Sequence, residues 1–259
     1  MAEDARSLVE SVPFWWHSID LGGMVTSGAK SPEVLRREWE QLRLPELRGK
    51  TLLDINTFDG FFAFEAEKRG ASVTVLDFYM WAMELPELVA YWKDCRDRGV
   101  IPAAYDRTPH YKPDELPGKR GFDVAHRLLG SSVKEIVADF MTVDLQQLGT
   151  FDVVLFLGSL YHMENPLESM KRVAAVTREL AVIETEAVRI PGYDHRAFVE
   201  FFESNELNGD VSNWWAPNER ALAGMCRAAG FSRVETYPGT EPVADQGVER
   251  YRLMAKAWK

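Results

Sequence analysis

The stretch "TLLDINTFDGFF", Thr51 to Phe62, decides the fold. An apolar run closes on Asp54, a short loop follows, and an apolar helical pattern opens at Phe61. That order predicts a strand, a ligand-binding turn and a helix. A loop of the form D-x-G-x-G-x-G would carry three glycines where this chain has Asn56, Phe58 and Gly60. A pyrophosphate held at a helix N-terminus needs close backbone approach, hence small residues. Phe58 would crowd it and Asp59 would repel it. The loop points instead to a nucleoside ligand that carries no phosphate and is itself cationic.

Outward from this stretch, strand-like and helical runs alternate. Strands are expected at "TLLDI" (51–55), "SVTVLD" (72–77), "VKEIVAD" (133–139), "FDVVLFLG" (151–158) and "LAVIETEA" (180–187). Helical periodicity is expected over 60–70, 121–130 and 165–179. The alternation predicts an α/β, Rossmann-like sheet, mostly parallel, with helices on both faces. "PNERALAGMCRAAGF" reads as a helix, and "SRVETYP" and "YRLMAKAWK" lack room for a crossover, so they should pair antiparallel. Seven strands ending in an antiparallel C-terminal strand are the architecture of class I methyltransferases.

The 259 residues are read as one domain (1–259), with an N-terminal lid segment (1–45) and a cofactor-binding core (46–187). An insertion at 92–120, a substrate-pocket insertion at 188–217 and a C-terminal helix with strands (218–259) complete it. Hydrophobic residues make up 46%, enough for a substantial core. The net charge of −10 disfavours a phosphate-backbone partner, although Arg36, Arg37, Lys119 and Arg120 leave room for a local basic patch. Cys95 and Cys226 stand in no metal-ligand spacing and read as reduced thiols of a cytoplasmic protein. No apolar run is long enough to span a membrane. A homo-oligomer is left open.

Three acids close three successive expected strands: Asp54, Asp77 and Asp139. Asp54 can reach an ammonium, Asp77 a ribose diol, and Asp139 an adenine amine, with Phe140 packing on the purine. Asn56 tolerates the positive φ of the glycine it replaces, and Gly60 keeps a close backbone approach. Phe78 and Gly158, at the following strand ends, complete the expected cofactor set. An acidic loop suits S-adenosylmethionine, which brings a cationic sulfonium and an ammonium, and that is the cofactor expected. No metal site is expected.

The segments "FWWHSIDLGGMVTSG", "LLDINTFDGFFAFEAEKRGASVTVLDFYMW", "RGFDVAHRLLGSSV" and "LFLGSLYHMENPLESM" resemble the family of bacterial tRNA wobble-uridine methyltransferases of 5-oxyacetyl uridine synthesis. The resemblance implies a class I fold and S-adenosylmethionine as donor, with the target chosen outside the core. Met163 stands where that family often has a basic residue, and the motif around Arg250 and Arg252 does not match. Plain methyl transfer to a small-molecule acceptor of specialised metabolism, at oxygen, is therefore expected, with tRNA wobble uridine as the alternative.

Acceptor oxygen chemistry calls for a base. His162, just past the fourth expected strand, is the first candidate, with Tyr161 beside it and Glu184 near the end of the fifth strand. Trp15, Trp16 and His17 in the N-terminal segment, and Tyr193, Trp214 and Trp215 in the third insertion, are the expected walls of the acceptor site.

Overall fold

In the computed structural model, which describes residues 2–259, the chain forms two compact units: one ends at Phe140, and the other runs from Met141 to Lys259. The first unit opens with helices α1 (Ala2–Glu10) and α2 (Pro32–Gln41), followed by β1 (Thr51–Ile55), α3 (Phe61–Lys68) and β2 (Ser72–Asp77). Then come α4 (Leu85–Asp97), α5 (Arg120–Leu129) and β3 (Lys134–Val137). The strand order is β3-β2-β1, all parallel, with Leu53 opposite Thr74 and Leu76 opposite Ile136. Leu52, Leu53, Ile55, Val75 and Leu76 are all buried, as parallel strands covered on both faces require.

The second unit contains α6 (Leu145–Leu148), β4 (Phe151–Leu157), α7 (Pro166–Val176) and β5 (Thr177–Arg189). It continues through β6 (Val199–Phe201), β7 (Trp215–Pro217), α8 (Glu219–Ala228), β8 (Arg233–Pro238), β9 (Val243–Asp245) and β10 (Val248–Trp258). Its larger sheet runs β4-β5-β10-β8, with β9 on β10 and β6 and β7 forming a separate pair. β4 and β5 are parallel, while β10 is antiparallel to β5 and β8. The expected antiparallel C-terminal pairing is present. The short β9 takes the strands of the main sheet segments one past the expected seven.

The strand expected over 133–139 is shorter, ending at Val137 and leaving Asp139 beyond it, and two further boundaries differ from the sequence reading. The helix expected to 179 stops at Val176, and β5 starts at Thr177 and extends to Arg189. Thr177 is β-branched, and its hydroxyl donates to the Val173 carbonyl, closing the helix end. The stretch at 92–120 does not begin as an insertion: α4 runs through its first six residues. Leu85, Leu88 and Cys95 are its buried stripe, and Pro86 sits in its first turn, where a missing N–H is harmless. Among the described residues no helix is long and apolar enough to cross a membrane, and no cluster of His, Cys, Asp and Glu could hold a metal ion.

Candidate functional site

In the first unit, the loop after β1 turns left-handed three times, at Asn56 (φ 62°), Phe58 (φ 59°) and Gly60 (φ 89°). These are the three positions where the glycine pattern would stand. Asn56 does what its side chain allows. Phe58 is the exception, because an aromatic side chain in this region is strained by about 1–3 kcal/mol. Its backbone is fixed from both ends: its N–H donates to Asp77 Oδ2 at 2.8 Å, and its carbonyl accepts from Trp81 Nε1 at 2.7 Å. A Cβ on Gly60 would lie 2.6 Å from the Phe64 ring and 2.8 Å from Phe122. The close approach that glycine permits there is therefore to packed aromatics of α3 and α5.

Asp54 and Asp77 stand at the ends of adjacent strands, 3% and 0% exposed. Asp54 accepts the Thr57 hydroxyl at 2.6 Å. Burial pushes its pKa up to about 7, with the Thr57 hydrogen bond opposing and the Asp77 charge adding. Burial likewise lifts Asp77 to about 7, against the backbone N–H groups of Phe58, Phe78, Met80 and Trp81. Both carboxyls are buried acceptors at the ends of adjacent strands. The chemistry of the two carboxyls fits cationic groups such as the ammonium and sulfonium of S-adenosylmethionine. Asp77, which the sequence assigns to the ribose, gives its oxygens to the loop, so a diol would exchange with the N–H groups of Phe58 and Met80. Asp139 lies two residues past β3 and is half-buried. Phe140 is in the core, 2% exposed, where the sequence reading placed it against a purine. Phe78 is half-buried, edge-on to Tyr79 and Tyr111.

The N-terminal segment reaches this loop through a residue the sequence reading used only to exclude phosphate. Asp59 Oδ2 accepts the N–H groups of Trp16 (2.9 Å) and His17 (2.8 Å), and its Oδ1 pairs with His17 Nδ1. His17 and Trp16 then pack on Phe58, Trp16 stacking at 5.8 Å between centroids. Trp15 is buried beside Gly121, as core, while Trp16 is 38% exposed. No local motif signals Asp59, because its partners lie 42 and 43 residues away.

In the second unit, a short 3-10 turn, Leu160–His162, follows β4. Gly158, at φ 64°, donates its N–H to Glu184 Oε2 at 2.9 Å. Glu184 also grips Arg252, which pairs in addition with Glu186 at 2.8 Å. Glu184, a candidate base from its strand position, is thus the anchor of an arginine, and its charge is neutralised there. Tyr161 lies under the same guanidinium, 4.9 Å from the ring centroid, and burial pushes its hydroxyl pKa up. Arg250 is held by Glu200 and Asp245.

His162 packs its ring 4.2 Å from Tyr161 and meets Ser212 through Nδ1. Burial holds its pKa below the ordinary value, with Asp210 opposing. The Trp214 N–H donates to the Tyr161 carbonyl at 2.8 Å and Trp215 Nε1 to the Met163 carbonyl at 3.0 Å, strapping the third insertion onto the turn. Tyr193 stands apart from this group, 54% exposed and stacked on His195.

A family model described as a methyltransferase domain matches residues 29–236. The chain belongs to this methyltransferase family. A comparison with curated proteins finds no match. Among solved structures, the N-terminal domain of EvdMO1, determined with SAH and D-fucose, aligns with a TM-score of 0.62 at 17% identity, covering 99% of this chain and 96% of that one. A second EvdMO1 crystal structure is longer, and the match covers 47% of it. Magnesium protoporphyrin IX methyltransferase from Synechocystis PCC 6803, with bound SAH, aligns with a TM-score of 0.51 at 12% identity, covering 86% of this chain and 84% of that one. These likenesses show the class I methyltransferase fold that the sequence led us to expect.

Proposed function

We propose that the protein transfers the methyl group of S-adenosylmethionine to a hydroxyl of a small-molecule acceptor, with His162 as general base. The single observation that carries this reading is the state of His162. Its Nδ1 lies 3.2 Å from the Ser212 carbonyl, which can only accept, so Nδ1 bears the ring proton. Nε2 therefore carries the lone pair, and burial keeps the ring neutral at pH 7. When bound, the cofactor supplies an electrophilic methyl group. The chain supplies burial, acidic partners for the cofactor's cationic groups and a base for the acceptor proton.

Asp54 and Asp77 are the residues that would face the cofactor's cationic groups, and Tyr161, Trp214 and Trp215 offer apolar walls beside the base. A carboxylated donor would want an arginine of its own, and both C-terminal candidates, Arg250 and Arg252, are already held by acids. The tRNA reading is further disfavoured by the net charge of −10.

The test is turnover with labelled donor and a panel of hydroxylated small molecules, including D-fucose, the sugar named with the EvdMO1 domain. Products would be identified by intact mass. A methylated oxygen in the product, with His162→Gln slower by about 10²–10⁴-fold, is the expected result. Methylation confined to wobble uridine of tRNA would replace this reading with the alternative.

A further inference from the structure

His162 does not meet Ser212 alone. Ser212 Oγ lies 2.8 Å from His162 Nδ1 and 2.8 Å from Asp210 Oδ1. A carboxylate accepts only, so the hydroxyl proton points to Asp210 and an oxygen lone pair faces the Nδ1–H. The Ser212 N–H donates to the same Asp210 oxygen at 2.8 Å, which fixes the hydroxyl's position along the loop. The bonds from Trp214 and Trp215 to the carbonyls of Tyr161 and Met163 then fix the loop against the turn that carries the histidine. The result is a chain of groups, carboxylate to hydroxyl to imidazole, between residues that share no local sequence motif.

We propose that Asp210 and Ser212 are positioning residues for His162, holding it as the Nδ1–H tautomer and stabilising the imidazolium that forms when it takes a proton. The proposal rests on the reading of His162 as the base. In the step it serves, the acceptor O–H proton moves to Nε2 as the oxygen bonds the methyl carbon, and sulfur keeps the electron pair of the broken S–C bond. The imidazolium then carries the positive charge, and Asp210 answers it through Ser212. Three charged groups bear on the ring. Asp210 and Glu186 favour its protonated form, while Arg252 disfavours it, and burial disfavours it most. Ser212 transmits the influence of Asp210 through a hydrogen bond, so losing the hydroxyl should lower the ring pKa even with Asp210 in place, while the Ser212 carbonyl still holds the Nδ1–H tautomer.

The experiment is nitrogen-15 NMR of the full chain labelled at histidine, with the His162 signal assigned among the five histidines by its loss in His162→Gln. The expected wild-type signal is a neutral ring protonated at Nδ1. Ser212→Ala should keep that tautomer, held by the backbone carbonyl, but lower the ring pKa, and Asp210→Asn should lower it as well. Ser212→Thr, which keeps the hydroxyl, should restore the wild-type titration. A wild-type ring protonated at Nε2 overturns the relay without any variant having to fold. So does an unchanged titration in both Ser212→Ala and Asp210→Asn. Undiminished turnover in His162→Gln would instead overturn the base reading on which the relay rests, so the two failures are told apart.

Discussion

His17 Nδ1 and Asp59 Oδ1 are in direct contact inside the first unit, both side chains nearly inaccessible to water. The same carboxylate accepts the backbone N–H groups of Trp16 and His17, so one acid pins the N-terminal segment to the loop after β1. Replacing it with alanine leaves two buried donors and a histidine without their acceptor. Asp59→Ala is expected to destabilise the protein by about 3 kcal/mol, read from urea unfolding. Donor affinity, read by calorimetry, should fall as well, because Phe58 loses the ring packing that holds the loop. A variant with wild-type stability and donor affinity would show that the pair is dispensable.

Asp54 and Asp77 make the folded state take up protons. Their folded pKa values lie near 7, above the ordinary carboxylate value of about 3.9. A raised folded pKa means a contribution fully present below the unfolded value and lost as pH rises through the folded one. Thermal stability without cofactor should therefore decline from about pH 4 to about pH 7 on account of these two groups. Asp54→Asn, which cannot ionise, should flatten that decline. An identical pH profile in the variant would count against the assignment.

The same two acids predict how the cofactor binds. A cation beside them favours their ionised forms, so binding near pH 6 should release protons and tighten as pH rises to 8. Calorimetry in buffers of different ionisation enthalpy measures the release directly. Asp77→Ala should weaken binding by about 2–4 kcal/mol. Binding with no proton release, or unchanged in Asp77→Ala, would remove both acids from the cofactor's surroundings.

Asp54 and Asp77 were legible because each closes an apolar run, whereas Asp139 lies past the end of the short, mostly exposed β3; Asn56 was legible because its tolerance of positive φ is a property of the residue itself. Phe58 was not legible: nothing local says that an aromatic will take a left-handed conformation, and the Asp77 and Trp81 bonds that hold it come from 19 and 23 residues away. The helix α4 was hidden by the prolines that follow it, although Leu85, Leu88 and Cys95 already trace its buried face. Glu184 and Glu186 alternate along β5 and so face one side of it. Their shared partner, Arg252, lies on the antiparallel strand β10, where Arg252 sits opposite Glu186. That register depends on the C-terminal pairing rather than on either segment, and with it goes the function that position alone suggests.

The last prediction concerns the donor. Arg252 is enclosed by Glu184, Glu186 and the Tyr161 ring, and Arg250 by Glu200 and Asp245. A donor with an extra carboxylate would have to draw one of these guanidiniums away from its acids or bury its own charge unpaired, and both are costly. Ordinary S-adenosylmethionine should therefore outcompete its carboxylated analogue by tenfold or more, a difference of about 1.4 kcal/mol. Removing the acids should narrow that gap: in Glu184→Gln/Glu186→Gln, Arg252 loses its partners and becomes available to a carboxylate. The measurement is competitive displacement of labelled donor by each compound, in wild type and in the double variant. Tighter binding of the carboxylated donor by the wild-type protein would reverse the assignment of plain methyl transfer, and an unchanged ratio in the double variant would show that Arg252 takes no part in the discrimination.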